Sequence, residues 1–290
     1  MFGFISINKP QGPTSFDIVA GVRRMLSRKT KVGHTGTLDP FARGVLVVCV
    51  NKATRLANYV QRSNKRYRAE ITLGRVSDTD DVEGNITDFQ TSQPLIPPDE
   101  SAVRNVLCEF TGQIMQIPPA HSAVHVGGQR AYVLARQGAE FEIAPRPVVI
   151  HEIKLLSYSW PILTVAVYCG SGTYIRSLAR DIGCRLNVGG YCSALQRTAV
   201  GMFDIESSVD FAELTADNIA EKISMPLGAL GLEIVTLADG QLESVSAGRS
   251  IVAPPGLKGR EIALITADGR LAAIADMCGE GMLHPVRVFL

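Results

Sequence analysis

The sequence predicts an α+β protein, with strands and helices along most of its length followed by a small β-barrel-like module. Three observations predict it. Lys65 to Leu73 alternates strictly, with Tyr67, Ala69, Ile71 and Leu73 on one face and Arg66, Arg68, Glu70 and Thr72 on the other. Val45 to Val50 is a continuous apolar run that reads as a buried strand. From about residue 233 the chain changes to short strands and tight turns, with a hairpin of Ile262–Thr266, Asp268-Gly269 and Leu271–Ala275.

Taken in order, Phe2 to Ile7 reads as a strand and Lys9 to Ser15 as a turn. Ser15 or Thr14 then caps a helix near 16–28, with Ile18, Val19, Val22 and Leu26 on its apolar face. Arg23, Arg24, Arg28 and Lys29 lie on its far side. Gly33-His34-Thr35-Gly36-Thr37-Leu38-Asp39-Pro40 sets one carboxylate at the end of a Gly/Thr-rich loop. The glycines permit unusual backbone angles and Pro40 biases Asp39 away from helix, so Asp39 is either presented to a ligand or is a solvated turn residue. A helix covers about 53–61. Tyr67 points to the apolar side of its strand, where a core tyrosine is the plainer reading.

Asp78 to Gly84 looks like a calcium loop but has Val82 and Phe89 at two ligand positions, so it reads as a polar loop. Asp99 or Ser101 caps a helix to about Phe110. Residues 113–147 are irregular, with a short helix at 131–137, and read as a surface insertion outside the sheet. Strands follow at 148–156 and 162–168. A Gly-rich turn then leads into a helix with Ile175, Leu178, Ala179 and Ile182 as its buried stripe. Arg176 in the first turn makes that junction a candidate anion site, though it is neither a Walker loop nor Gly-x-Gly-x-x-Gly. Tyr191 to Val200 reads as a strand, a helical segment ends within 211–232, and His284 to Leu290 is a last strand.

A chain of 290 residues, 46% hydrophobic and 20% charged, has the composition of a globular protein of one large or two unequal domains. Six cysteines without a Cys-x-x-Cys pair suit reduced, mostly buried thiols and argue against a disulfide frame or zinc site. No signal peptide or membrane-length apolar run is visible, so a cytoplasmic location is expected. The net charge of +1 conceals +11 over residues 1–75 and −10 over 76–290. Such segregation suggests a surface that meets a polyanion, and the basic part contains Asp39.

Together these segments resemble the bacterial tRNA pseudouridine-55 synthases. The resemblance is carried by Gly33 to Pro40, by Asn8 to Asp17, by Lys65-Arg66-Tyr67-Arg68 and by Gly172 to Leu178. Gln116 to Ala123, Gly128 to Tyr132 and Ala135 to Gly138 resemble that family's RNA-gripping insertion. It implies a pseudouridine synthase catalytic domain over 1–232, built on a mixed, mostly antiparallel sheet with the insertion at about 113–147, and a PUA-like RNA-binding barrel over 233–290. It further implies isomerisation of uridine-55 in the tRNA T-loop, with Asp39 as the catalytic carboxylate, attacking sugar or uracil or promoting elimination of the base. Arg176 would pair with Asp39. Tyr67 would stack on the flipped uracil and exchange a proton, and Tyr174 and Leu195 would pack around it. His34 would fill the space that the flipped nucleotide vacates.

Lys9, Lys65, Arg66, Arg68, Arg130 and Arg136 are the remaining expected substrate contacts. The isomerisation is redox-neutral, so neither metal nor organic cofactor is expected; the expected partner is the tRNA T stem-loop, with no guide RNA and no membrane, and the protein is expected to be a monomer. Gln196 stands where the family usually has a second Arg, Arg43 where it often has a small or polar residue, and the C-terminal module is short. Relatives that work on a guide-RNA particle, a non-catalytic RNA-binding protein and a phosphate-ester hydrolase are the rival readings. Intact Asp39, Tyr67 and Arg176 oppose the second, and the lack of a metal-ligand cluster opposes the third.

Overall fold

The computed structural model describes residues 2–92 and 94–290. Its centre is a mixed sheet. Strand β1 (Gly3–Lys9) pairs antiparallel with β3 (Arg43–Val50), which also takes the short β2 (Val32–His34). The strand Gly190–Val200 joins the two halves, parallel to β3 at Gln196 and Arg197 and antiparallel to β4 (Lys65–Leu73). Beyond β4 come Ile162–Cys169, Arg146–Ser159 and, at the edge, Gly112–Gln116. The strand Val209–Asp210 pairs parallel with β1 at the other edge.

The apolar run 45–50 is continuous because β3 is buried on both faces. Leu46, Val48 and Val50 pack with Ile18, Val19 and Val22 of helix α1 (Ser15–Met25). Val45, Val47 and Cys49 face the opposite way, toward Phe4, Leu56 and the C-terminal module. Thr14 caps α1 through a reciprocal capping box: its hydroxyl accepts from the Asp17 N–H at 3.1 Å, and the Asp17 carboxylate accepts from the Thr14 N–H at 2.8 Å. The helix stops at Met25, short of the expected Arg28. On the other half of the sheet, helix α5 (Ile175–Arg185) lays Leu178, Ala179 and Ile182 against Ile71, Leu73 and Val103.

Three other expectations are corrected. The helix expected at 53–61 is a 3₁₀ segment, Asn51–Leu56, that runs into α2 (Ala57–Arg62). The ends of the 113–147 segment belong to the central sheet, since Gly112–Gln116 pairs with Arg146–Ile150 and leaves the protruding part between them. That part holds a two-residue-per-strand ribbon at 125–130 and α4 (Ala131–Arg136). Residues 211–232 form 3₁₀ turns, Phe211–Glu213 and Leu227–Leu230, instead of a helical segment. Asp99 does cap α3 (Glu100–Glu109), accepting from the Ala102 N–H at 2.7 Å.

The C-terminal module is an open five-stranded sheet. Ala263, Leu271, Ile274 and Phe289 complete the core that begins with Phe4, Val45 and Val47. Polar bonds sew the seam: Lys52 Nζ donates to the Phe289 carbonyl at 2.8 Å, Arg55 to Val288 at 2.9 Å, and Tyr59 Oη to Glu261 at 2.6 Å. Cys49, Cys169 and Cys192 are buried, but Cys108, Cys184 and Cys278 are exposed, so the expectation of mostly buried thiols holds for half of them. Among the described residues, no helix is long and apolar enough to cross a membrane.

Candidate active site

Strand register assembles the site. Arg197 lies opposite Gly44 on one side and Tyr67 on the other, so the loop that precedes β3 meets β4 at the middle of the sheet. Gly44 is at φ +107°, and a Cβ there would lie 2.2 Å from the Arg197 carbonyl, so this close crossing requires glycine. Gly33 and Gly36, read from sequence as permitting unusual angles, have ordinary φ and open space around them. The shape of the loop comes from its anchors instead.

Those anchors are numerous. Leu38, Phe41 and Ala42 are buried in the core. Ser15 Oγ donates to the Leu38 carbonyl and accepts from its N–H, both at 2.8 Å. The Gly12 N–H donates to the Pro40 carbonyl at 2.8 Å. Arg197, 3% exposed, donates to Val45 at 2.7 Å, Thr37 at 3.1 Å and Gly36 at 3.2 Å. Together these bonds satisfy backbone N–H and carbonyl groups of the loop and of the start of β3.

Asp39 therefore faces a fixed Arg176. The Arg176 Nε lies 2.9 Å from Asp39 Oδ2, as a charge contact, while Nη2 donates to Oδ1 at 3.3 Å. The rest of the guanidinium is also occupied: Nη1 donates to Asp81 Oδ2 and the Thr79 carbonyl, each at 3.0 Å, and Nη2 to the His121 carbonyl at 3.0 Å. Arg176 is 4% exposed, and the anions that this candidate anion site meets are the chain's own Asp39 and Asp81 carboxylates. One turn along, Arg180 pairs with Asp80 and Asp181, each at 2.9 Å, and donates to the Ile117 carbonyl at 3.0 Å. Residues 78–84, read as a polar loop, thus carry the buried carboxylates Asp80 and Asp81.

Burial raises the Asp39 carboxyl above its ordinary value, the Arg176 charge opposes that shift, and the Asp81 charge adds to it. Burial also raises the Tyr67 phenol, against the charge of Arg197. Burial and then Arg197 lower the His34 imidazole, which favours its neutral form; its Nδ1 is buried without a hydrogen-bond partner among the described residues. Burial pushes Asp80 up to about 6 against the pull of Arg180.

Asp39, Tyr67, Arg176, His34, Tyr174, Leu195, Lys65 and Arg130 all line one cleft of about 930 Å³. Asp39 is the sole carboxylate in its described lining, beside Arg62, Arg146 and Arg197. Gln116 fixes Tyr174 by donating to its carbonyl at 3.0 Å and accepting from its N–H at 2.8 Å. The Arg146 guanidinium lies 4.7 Å from the centre of the Tyr174 ring.

Other expected contacts fall elsewhere. Lys9 is 0% exposed, and its ammonium donates to Pro10 at 2.9 Å, Pro13 at 2.8 Å and Pro40 at 3.4 Å; it braces the loop from beneath instead of meeting substrate. Burial lowers it to about 8, with Asp39 pulling the other way. Lys65 borders the cleft, but its ammonium is held by the Gln61 and Ser63 carbonyls at the end of α2. Arg66 lies over the Tyr168 ring, and Arg68 lines a separate cavity of about 110 Å³ with Arg43 and Gln196. Alternation along β4 puts these two arginines on the face opposite Tyr67, so the departures at Arg43 and Gln196 also lie away from Asp39. Arg136 sits exposed on α4, 5.7 Å from the Tyr132 ring centre. Sequence reasoning missed Asp81, Arg197 and Gln116 as site residues.

Residues 23–175 match the family model described as TruB family pseudouridylate synthase, N-terminal domain. A protein of Dehalococcoides mccartyi named tRNA pseudouridine synthase B is 43% identical over all of this chain and 97% of its own length. One of the same name from Syntrophomonas wolfei is 41% identical over all of this chain and 99% of its own. Among solved structures, an H/ACA ribonucleoprotein bound to a substrate RNA containing 2′-deoxyuridine aligns at TM-score 0.74 and 25% identity, over all of this chain and 85% of that one.

Proposed function

The chain belongs to the TruB family of pseudouridylate synthases, and from that premise we propose that it converts uridine-55 in the T-loop of tRNA to pseudouridine. The observation that carries the reading is a lone cleft carboxylate, Asp39, held against the buried Arg176 beside Tyr67, Tyr174 and Leu195. In this reaction the C1′–N1 bond breaks, the uracil turns, and C1′ joins C5. C5 loses its proton and N1 ends with one, so atoms and electrons balance without an oxidant.

Asp39 drives the cleavage as its ionised carboxylate, oriented by Arg176. Tyr67, Tyr174 and Leu195 hold the detached uracil between apolar surfaces, which limits its escape and keeps water from C1′. Tyr67 is positioned in the same pocket to exchange a proton. His34 in its neutral form fills the gap left by the flipped nucleotide, offsetting a few kcal/mol of unstacking in order of magnitude. Arg62, Arg130 and Arg146 meet phosphates at the cleft mouth.

The proposed division is a catalytic domain over 1–232 and a PUA-like RNA-binding module over 233–290. The open five-stranded sheet supports an RNA surface on the second; the 660 Å³ cavity beside it sets Glu233, Glu261 and Asp276 against Arg62, Lys258 and Arg260 and so has no net positive lining. The enzyme is proposed to work alone in the cytoplasm on bare tRNA. Tritium release from C5-labelled uridine in an unmodified tRNA transcript, without guide RNA, tests this. Release that maps to the T-loop uridine is expected; no release from bare tRNA would contradict the reading.

A further inference from the structure

Phe16 is an exposed aromatic residue in the first turn of α1. It is 67% exposed and joins none of the apolar clusters, while its neighbours Ile18, Val19 and Val22 form the buried stripe of α1. Single exposed apolar residues are common. This one differs in its place, because its ring lines the same cleft as Asp39, His34 and Arg62.

It is also held there firmly. Phe16 stands in the first turn of α1, between the two members of the Thr14–Asp17 capping box. The preceding residue, Ser15, bonds both the N–H and the carbonyl of Leu38, next to Asp39. The backbone that carries the ring is therefore tied directly to the catalytic loop. An exposed ring fixed at the lip of a cationic cleft gains free energy only when something flat and apolar covers it.

We propose that Phe16 is a stacking platform for an unpaired nucleobase of the RNA, adjacent to the uridine held at Asp39; this rests on the RNA-modifying activity proposed above. Withdrawing one nucleotide from a loop leaves its neighbour without a stacking partner, at a cost of roughly a few kcal/mol. An aromatic face at the mouth replaces that partner, and because every base has a π-face the contact tolerates any base. The cations around it engage the backbone of the same strand. Phe16 thereby helps select a target uridine flanked by an unpaired nucleotide over one embedded in a duplex.

The test compares dissociation constants for a T stem-loop hairpin in the Asp39→Ala background, with and without Phe16→Ala. The hairpin is used intact and with each loop nucleotide made abasic in turn. Phe16→Ala is expected to weaken binding of the intact hairpin roughly tenfold, a mid-range stacking loss, and Phe16→Trp to retain affinity. At one abasic position the penalty of Phe16→Ala should vanish, which identifies the stacked base. A dissociation constant within about twofold of the parent, or a penalty that persists on every abasic hairpin, would overturn the platform. Tritium release by the unsubstituted enzyme on the intact hairpin separates the two levels. No release would contradict the activity itself, whereas release without any Phe16 effect on affinity would contradict only the platform.

Discussion

At the floor of the cleft Arg176 is 4% exposed and its guanidinium is shared among Asp39, Asp81 and the Thr79 and His121 carbonyls. On the protruding segment above it, Arg130 is exposed with a bond to the Ala123 carbonyl at 3.0 Å, and Arg136 rests over a tyrosine ring. The floor is preorganised, with its desolvation offset in the folded chain, so its charges can act at once on a reacting group. The rim keeps its arginines hydrated and adjustable, which suits contacts with a phosphate backbone. On the proposed function, chemistry and grip are thus divided between two physically different sets of cations.

Asp81→Asn should break this division most severely. It keeps the shape but removes the charge that holds the far side of Arg176, and kcat is expected to fall about a hundredfold, as misplacement of a reacting group does. Single-turnover rate and dissociation constant measured together check it: the rate should drop while affinity stays within a few-fold. Arg197→Lys comes next. One ammonium cannot serve the Val45, Thr37 and Gly36 carbonyls together, and thermal denaturation should show a midpoint lower by about 2–5 °C, for a loss of about 1–3 kcal/mol.

Arg130→Ala should act only on grip, weakening tRNA binding a few-fold and reducing the salt slope by about one. Arg66→Ala, on the opposite face of β4, should change neither, and a salt titration of both variants would sharpen the contrast. The smallest effect concerns pH. If the ionised Asp39 is the active form, as proposed, activity is present above its folded-state pKa and lost as pH falls through it. Burial raises that pKa, so the acid limb should lie above the ordinary 3.8. Asp81→Asn removes a charge that raises it and should move the limb to lower pH. A rate–pH profile reads both shifts.

This contrast also marks what the sequence revealed. The strict alternation of Lys65 to Leu73 and the apolar run at 45–50 are local patterns, and both strands lie where they were expected. That Asp39, Tyr67 and Arg176 belong together was legible because each sits in a compact motif, and the structure brings all three to one cleft. Asp81 was not: its partner Arg176 is 95 residues away, and failing the arithmetic of a calcium loop says nothing about ion pairing. The doublet Asp80-Asp81 facing arginines at 176 and 180, one turn apart on a helix, was the available signal.

Lys9 shows the opposite error. A lysine beside Pro10 reads as a surface cation, yet the Pro10, Pro13 and Pro40 carbonyls fold around it. Removing 233–290 to test the C-terminal module would likewise expose Phe4, Val45 and Val47, which pack with Ala263, Leu271 and Phe289. Lys258→Ala and Arg260→Ala test that surface without opening the core.

Asp39 is proposed to perform the chemistry while grip resides elsewhere. The most direct test is single-turnover tritium release from a C5-labelled tRNA transcript by Asp39→Ala beside the unsubstituted enzyme, at RNA concentrations that saturate both. Release lost in the variant, with tRNA affinity within a few-fold, is the predicted result. Release retained by Asp39→Ala would remove this carboxylate from the mechanism and contradict the account.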